Sequence, residues 1–166
     1  MLTSLLRLAD APLLPFQFVN FAGAVEGYLS ELSKLKGASA IHLEKARKEL
    51  ANLAKSAEAY ETRYKKAAEL ASSGSKAQLE IVNEALIRTE RAMLSEAGLP
   101  GRNWFKNQIY APGLYTGYDA KTLPGIREAA EAGRWEEAYQ QSERLVLTLR
   151  AVRSQIQRAE KALSGL

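Results

Sequence analysis

Two tyrosines, Tyr115 and Tyr118, alternate with two glycines, Gly113 and Gly117, in the one long stretch of this chain that lacks helical periodicity. A phenol hydroxyl is neutral at pH 7, and it both donates and accepts hydrogen bonds. Glycines beside it let the backbone bend tightly enough to hold the ring outward. The stretch, Arg102 to Trp135, also holds both tryptophans and two of the five prolines. A mostly helical chain that keeps one ordered, aromatic-rich loop presents that loop to something. Two readings of Tyr115 and Tyr118 stand side by side: contacts to a ligand, or apolar pins that order the loop. For Tyr110 and Trp104 the pin is the preferred reading, and Trp135 is expected in the core at the start of the last helix.

Other reactive side chains are sparse. His42 is the only histidine and there is no cysteine, so thiolate metal sites and disulfides are excluded and no imidazole pair is available. His42 reads as a surface or capping residue. Glu44, Glu49, Glu58 and Glu61 fall on the charged face of a helix, where Glu44–Lys48 and Glu61–Lys65 have the i, i+4 spacing of helical ion pairs. Nothing gathers two acids into an apolar pocket, and no phosphate loop or nucleophile elbow is present. The sequence therefore predicts no catalytic residue, no metal ligand and no cofactor in this chain.

The elements that position the loop follow from spacing. Apolar residues recur in steps of three and four at Phe18, Phe21, Val25, Tyr28, Leu32 and Leu35, closed by Gly37. The rhythm returns at Leu43, Ala46, Leu50, Leu53, Ala57, Tyr60, Tyr64, Ala67 and Ala71, with Ser39 as N-cap and Ser72-Ser73-Gly74 as terminator. It returns again at Leu79, Val82, Leu86, Thr89 and Met93, and finally from Trp135 through Ala138, Leu145, Leu149, Val152, Ile156 and Leu163. Helices are predicted over 17–36, 40–72, 75–97 and 134–163. A short one runs from Pro124 to Ala132, because proline suits a first helical turn. The predicted fold is all-α: a four-helix up-down bundle, 1–166 as a single helical domain, with one long ordered loop at about 102–124. The tight turn after the second long helix predicts that it and the third are antiparallel neighbours.

Composition sets the bounds. At 166 residues, 46% hydrophobic and 25% charged, the chain suits one soluble globular domain. The net charge is +4, but lysines and arginines are interspersed with acids along helix faces, so no nucleic-acid partner is expected. No apolar run approaches the roughly 20 residues of a membrane span, so no membrane partner is expected either. Met1 to Leu8 is too short and too weakly basic for a signal peptide. The compartment stays open, export of a larger parent included.

Several motifs together resemble a known family. These are Ile109-Tyr110-Ala111-Pro112, then Tyr118, then Leu123-Pro124-Gly125-Ile126, with an opening Ala11-Pro12-Leu13-Leu14-Pro15-Phe16 and a Gly98-Leu99-Pro100-Gly101-Arg102 turn. From about Leu8 to Leu163 the chain resembles the transferrin-receptor-like dimerisation domain, the C-terminal helical domain of the glutamate carboxypeptidase II (prostate-specific membrane antigen) family. The resemblance implies a parent enzyme with a di-zinc peptidase domain and an inserted protease-associated domain, neither present here. Two zinc ions and the catalytic glutamate belong to that missing peptidase domain. It further implies a chain that is not itself an enzyme, that pairs with its own peptidase domain, forms a homodimer, and lends a loop to the pocket that binds a peptide substrate. The family's loop carries an adjacent Lys-Tyr pair that holds a C-terminal glutamate. Aligned without a gap, Tyr118 matches the tyrosine, Gly117 stands where the lysine would be, and Lys121 lies four residues further on as a partial replacement. The loss of that cation weakens the expectation of an acidic preference. If the resemblance holds, the natural protein continues upstream of Met1.

A reading from another class is a free-standing helical adaptor that takes a partner helix in a groove of the bundle. A weaker one is an RNA- or anion-binding bundle using the net positive charge.

Overall fold

The computed structural model describes residues 11–70, 75–114 and 119–165. Among the described residues five α-helices carry the architecture: α1 (Phe18–Leu32), α2 (Glu44–Leu70), α3 (Lys76–Arg91), α4 (Pro124–Glu131) and α5 (Trp135–Leu163). A short 3₁₀ turn, Ala38–Ile41, links α1 to α2, and a small hairpin of β1 (Tyr110–Pro112) and β2 (Ala120–Thr122) precedes α4.

The C-terminal helix is the axis. α2, α3 and α4 all pack on α5, and α1 packs on α2. Its wide buried face explains this: Ala138, Gln141, Ser142, Leu145, Val146, Leu149, Val152, Ile156, Ala159 and Leu163 are all buried. Such a seam accepts more than one neighbour. α3 buries only Val82, Ala85, Leu86 and Thr89, a single stripe that is used up on α5. The expectation that α2 and α3 are packed neighbours therefore fails; they scarcely touch, because α5 offers both a better apolar surface than either offers the other. The expected four long helices and short α4 are present, and the small sheet is an addition to the all-α reading.

Where helix ends differ from expectation, the cause is local. α1 stops at Leu32, not at 36, and the chain reverses through Gly37 at φ 91°. A Cβ at Gly37 would lie 2.6 Å from the Trp135 indole, so glycine is required twice over. Trp135 is consequently half-buried over this turn, not sealed in the core. Ser39 is not the cap of α2: it lies in the 3₁₀ turn, and α2 begins at Glu44 after His42 takes a left-handed φ of 54°. α3 ends at Arg91, six residues before the expected stop. The chain from 92 to 109 is a stack of turns, tied by Ser95 N to Lys106 O (2.9 Å), Leu99 N to Phe105 O (2.9 Å) and Gln108 N to Met93 O (3.0 Å).

Charges also behave differently from the helix-face picture. Glu49 is only 7% exposed; it accepts from Arg153 Nε at 2.7 Å, with Arg150 at 3.9 Å. Residue 49 falls inside the seam that Ala46, Leu50 and Leu53 define, so α2 meets α5 through a carboxylate as well as through side-chain packing. Glu61 accepts the Val19 backbone N–H at the start of α1 (2.9 Å), and Lys45 reaches Glu143 at 3.0 Å. The expected Glu44–Lys48 and Glu61–Lys65 pairs are not among the ion pairs of the described residues, since closely packed helices offer cross-helix partners instead. The opening Ala11–Phe16 segment is pinned across two helices. Asn83 on α3 accepts from Leu14 N (3.0 Å) and donates to Pro12 O (2.9 Å), and the Tyr64 hydroxyl on α2 donates to Leu13 O (3.3 Å).

Candidate functional site

The loop expected at 102–124 is built around the hairpin. β1 and β2 run antiparallel in the register Tyr110↔Thr122, Ala111↔Lys121 and Pro112↔Ala120. The pairing continues through Gly113 N to Asp119 O (2.9 Å). Side chains alternate along β1, so Ala111 is buried while Tyr110 and Pro112 face outward. Asn107 sets the entry: its Oδ1 accepts from the backbone N–H of Ile109 (2.8 Å) and of Tyr110 (3.2 Å), a local turn typical of asparagine. Of the four residues of the IYAP motif, Ile109 and Ala111 are the anchors.

The second motif fixes the exit. Leu123 is buried at a left-handed φ of 47° and donates its N–H to Ile109 O at 2.7 Å. Pro124 opens α4, as expected, and Gly125 lies so close to Gln141 of α5 that a Cβ would come 2.8 Å from its Oε1. Ile126 completes the contact with the core. The sequence from Leu123 to Ile126 thus seats the hairpin's end on the α4–α5 platform.

Three ion pairs tie the hairpin down. Arg102, 2% exposed, donates to Glu128 Oε1 on α4 at 2.6 Å and to the carbonyl of Pro112, and its guanidinium lies 5.1 Å from the Phe105 ring centroid. Glu128 Oε1 also accepts from Leu114 N at 2.8 Å. Arg127 donates to Thr122 O (3.1 Å) and to Glu31 of α1 (2.9 Å), joining β2 to the first helix. Lys121 Nζ donates to both Glu131 oxygens at 3.0–3.1 Å.

Of the residues singled out from sequence, Tyr115, Gly117 and Tyr118 lie outside the described residues, between the two hairpin ends. Lys121 is on β2, and its ammonium is committed to Glu131. Trp104 and Tyr110 are not pins: they are 68% and 54% exposed. The ring that orders the loop is half-buried Phe105, stacked under Arg102. Arg102 and Glu128 were missed by sequence reasoning. An arginine after a glycine and a glutamate in the second turn of a short helix look like ordinary surface residues, and only the fold brings them together.

One groove adjoins β1, and another lies where α2 and α5 begin. Phe16, Phe21, Tyr28, Met93, Ile109 and Tyr110 line the first, which is apolar, of about 310 Å³, and runs up to β1. Exposed His42 stands edge-on to Tyr139 at 5.6 Å in the second, of about 600 Å³, with Trp135. Among the described residues no group of three or more His, Cys, Asp or Glu could hold a metal ion, and no helix is long and apolar enough to cross a membrane.

This arrangement has counterparts in known proteins. The chain is 30% identical over 159 residues to an inactive zinc metalloprotease of Schizosaccharomyces pombe, covering 92% of this chain and 20% of that protein. It is 30% identical over 164 residues to a probable glutamate carboxypeptidase of Arabidopsis thaliana, covering 95% of this chain and 22% of that one. A probable glutamate carboxypeptidase of Zea mays is 28% identical over 127 residues, 75% of this chain and 18% of its own length. The chain thus spans about a fifth of the length of the curated relatives it matches. The transferrin receptor-like dimerisation domain family matches residues 41–157, from the turn before α2 to the last third of α5 and across the whole clamped hairpin. With well over half its length matched, the chain belongs to the transferrin receptor-like dimerisation domain family.

Proposed function

We propose that this chain is the non-catalytic dimerisation and pocket-completing domain of a glutamate-carboxypeptidase-like zinc exopeptidase. The observation that carries the reading is the hairpin: two motifs, IYAP and LPG, anchor its ends on the helical platform, on either side of residues 115–118. The relatives' names supply the reaction class, hydrolysis at the C-terminal end of a peptide. Among the described residues no group fits a zinc site, and in this reading the metal chemistry belongs to the parent's peptidase portion. The apolar groove along β1, ending at Tyr110, suits contact with that portion.

In this reading Tyr118, with Tyr115 beside it, donates to the carboxylate end of the bound peptide. Gly117 contributes no cation there. Lys121 reaches a substrate carboxylate only by exchanging Glu131 for it, so its help costs the β2–α4 tie. A phenol hydrogen bond to a carboxylate in a partly dry pocket is worth about 1.5–3 kcal/mol. Tyr118→Phe in the full-length enzyme is therefore expected to lower kcat/KM by about ten- to a hundredfold. Gly117→Lys is expected to shift preference toward peptides ending in glutamate. An unchanged kcat/KM for Tyr118→Phe on every peptide would make the loop structural and end the pocket reading.

A further inference from the structure

We infer that the outward face of α5 is where a second copy of this chain docks, with the two α5 helices antiparallel and the two-fold axis level with Leu149. The inference rests on the dimerisation reading above and supplies its contact face. It starts from the charges of α5. Glu143, Arg153 and Glu160 pair across to α2, with Lys45, Glu49 and Arg63; Arg150 also turns toward Glu49, and Glu137 pairs with Arg134. The remaining four, Glu136, Arg144, Arg158 and Lys161, are exposed and make no ion pair among the described residues. Glu136 accepts a hydrogen bond from Gln140 at 3.1 Å. Steps of three and four place all four on one stripe, opposite the buried seam, with exposed Leu147 and Ala151 at its middle.

This stripe is complementary to itself in one direction. Turned antiparallel about the level of Leu149, Leu147 meets Ala151 of the mate and Arg144 meets Ser154. Further out Gln140 meets Arg158, and at each end Glu136 meets Lys161. Every contact occurs twice, as a two-fold interface requires. Ala151 and Ser154 are small enough for the helix axes to approach to the roughly 8–10 Å of packed helices. The antiparallel sense also sets the N-terminus of each helix beside the C-terminus of the other, where the partial charges attract. A parallel pairing would set Arg158 and Lys161 against their own copies, a repulsion that selects against it. The apolar centre is small and the charge pairs are exposed, so this contact alone is weak.

The test exploits the absence of cysteine from the chain. Leu147→Cys and Ala151→Cys chains are mixed and mildly oxidised. Disulfides joining the two variants are expected to exceed self-pairs by about fivefold or more, because a bridge needs Cα atoms within about 7 Å. Self-pairs in equal or greater amount overturn the inference. Sedimentation equilibrium at low salt then gives the dimer Kd of further variants, with circular dichroism as the check that helix content is kept. Glu136→Lys is expected to weaken association about tenfold, and adding Lys161→Glu to return it to within about threefold of the wild type. Leu147→Arg is expected to weaken it by about tenfold or more. A charge exchange that restores nothing overturns the antiparallel register. If the wild-type chain associates and these variants do so equally well, another face is used and the dimerisation reading stands. If the wild-type chain does not associate at all, both fall.

Discussion

Tyr60 shows at the residue scale what burial does to a polar group in this seam. It is fully buried, edge-on to Phe18 at 5.1 Å and 5.7 Å from Tyr64, and its hydroxyl has no partner among the described residues. Burial pushes its phenol well above the ordinary value, with smaller contributions from Tyr64 and Glu61, and burial also raises Tyr64. The sign follows from proton counting. Below about pH 10 both folded and unfolded chains keep the proton; above it the unfolded chain releases the proton first, so stability falls as pH rises. Tyr60→Phe is expected to keep or raise neutral-pH stability by up to about 1 kcal/mol, because an unsatisfied hydroxyl is removed from the core. It should also flatten the loss of stability above about pH 10, read as Tm against pH. A clear loss of Tm at pH 7 would mean the hydroxyl has a partner. The same scale shows the limit of sequence reading. Phe105, Trp104 and Tyr110 are equally aromatic, and nothing local says that only the first turns inward under Arg102. Glu49 and Arg102 look like surface charges because their partners, Arg153 and Glu128, are distant in sequence.

At the scale of elements, Gly98 is the sharpest case. It has φ +69°, and a Cβ there would come 2.2 Å from the Asn103 carbonyl oxygen, a backbone atom with no freedom to retreat. Gly98→Ala is expected to cost more than about 2 kcal/mol and to loosen the turn that delivers Arg102, measured by denaturant unfolding. A loss below about 0.5 kcal/mol would show that the turn between 95 and 105 repacks freely. Helices were the legible part. Three- and four-residue steps placed the four long ones, because long amphipathic stripes average over local noise, and a proline in the first turn placed the short α4. Their ends were less legible where a single backbone conformation decides: Gly37 and His42 turn the chain before α2, and proximity to Trp135 enforces it. The hairpin had no period-two signal, since three-residue strands are too short to show one. Its motifs were visible, but the resemblance, and not periodicity, marked them as important. The pairing of α2 with α3 was misread because a short connection does not fix contact when a third helix offers a larger apolar face.

For the whole molecule, α5 is the hub on which three helices converge, and the hairpin is attached to that hub through α4. Apolar surface is nonetheless left on the outside. The groove from Phe16 to Tyr110 leads toward the hairpin, and a second of about 330 Å³ is lined by Ala92, Leu94, Leu147 and Ala151, with Leu147 62% exposed. A domain that meets its two-fold mate uses the same patch on both copies. The relatives are about five times longer than this chain, and further domains of that kind would add area to such a contact, so this chain alone is expected to associate weakly. The central claim is that this chain is where two copies of the parent meet. Sedimentation equilibrium of the chain, from roughly micromolar to millimolar concentration, tests it most directly. The average mass is expected to climb from 18.3 kDa toward twice that value as concentration rises. A mass that stays at 18.3 kDa across the whole range would contradict it.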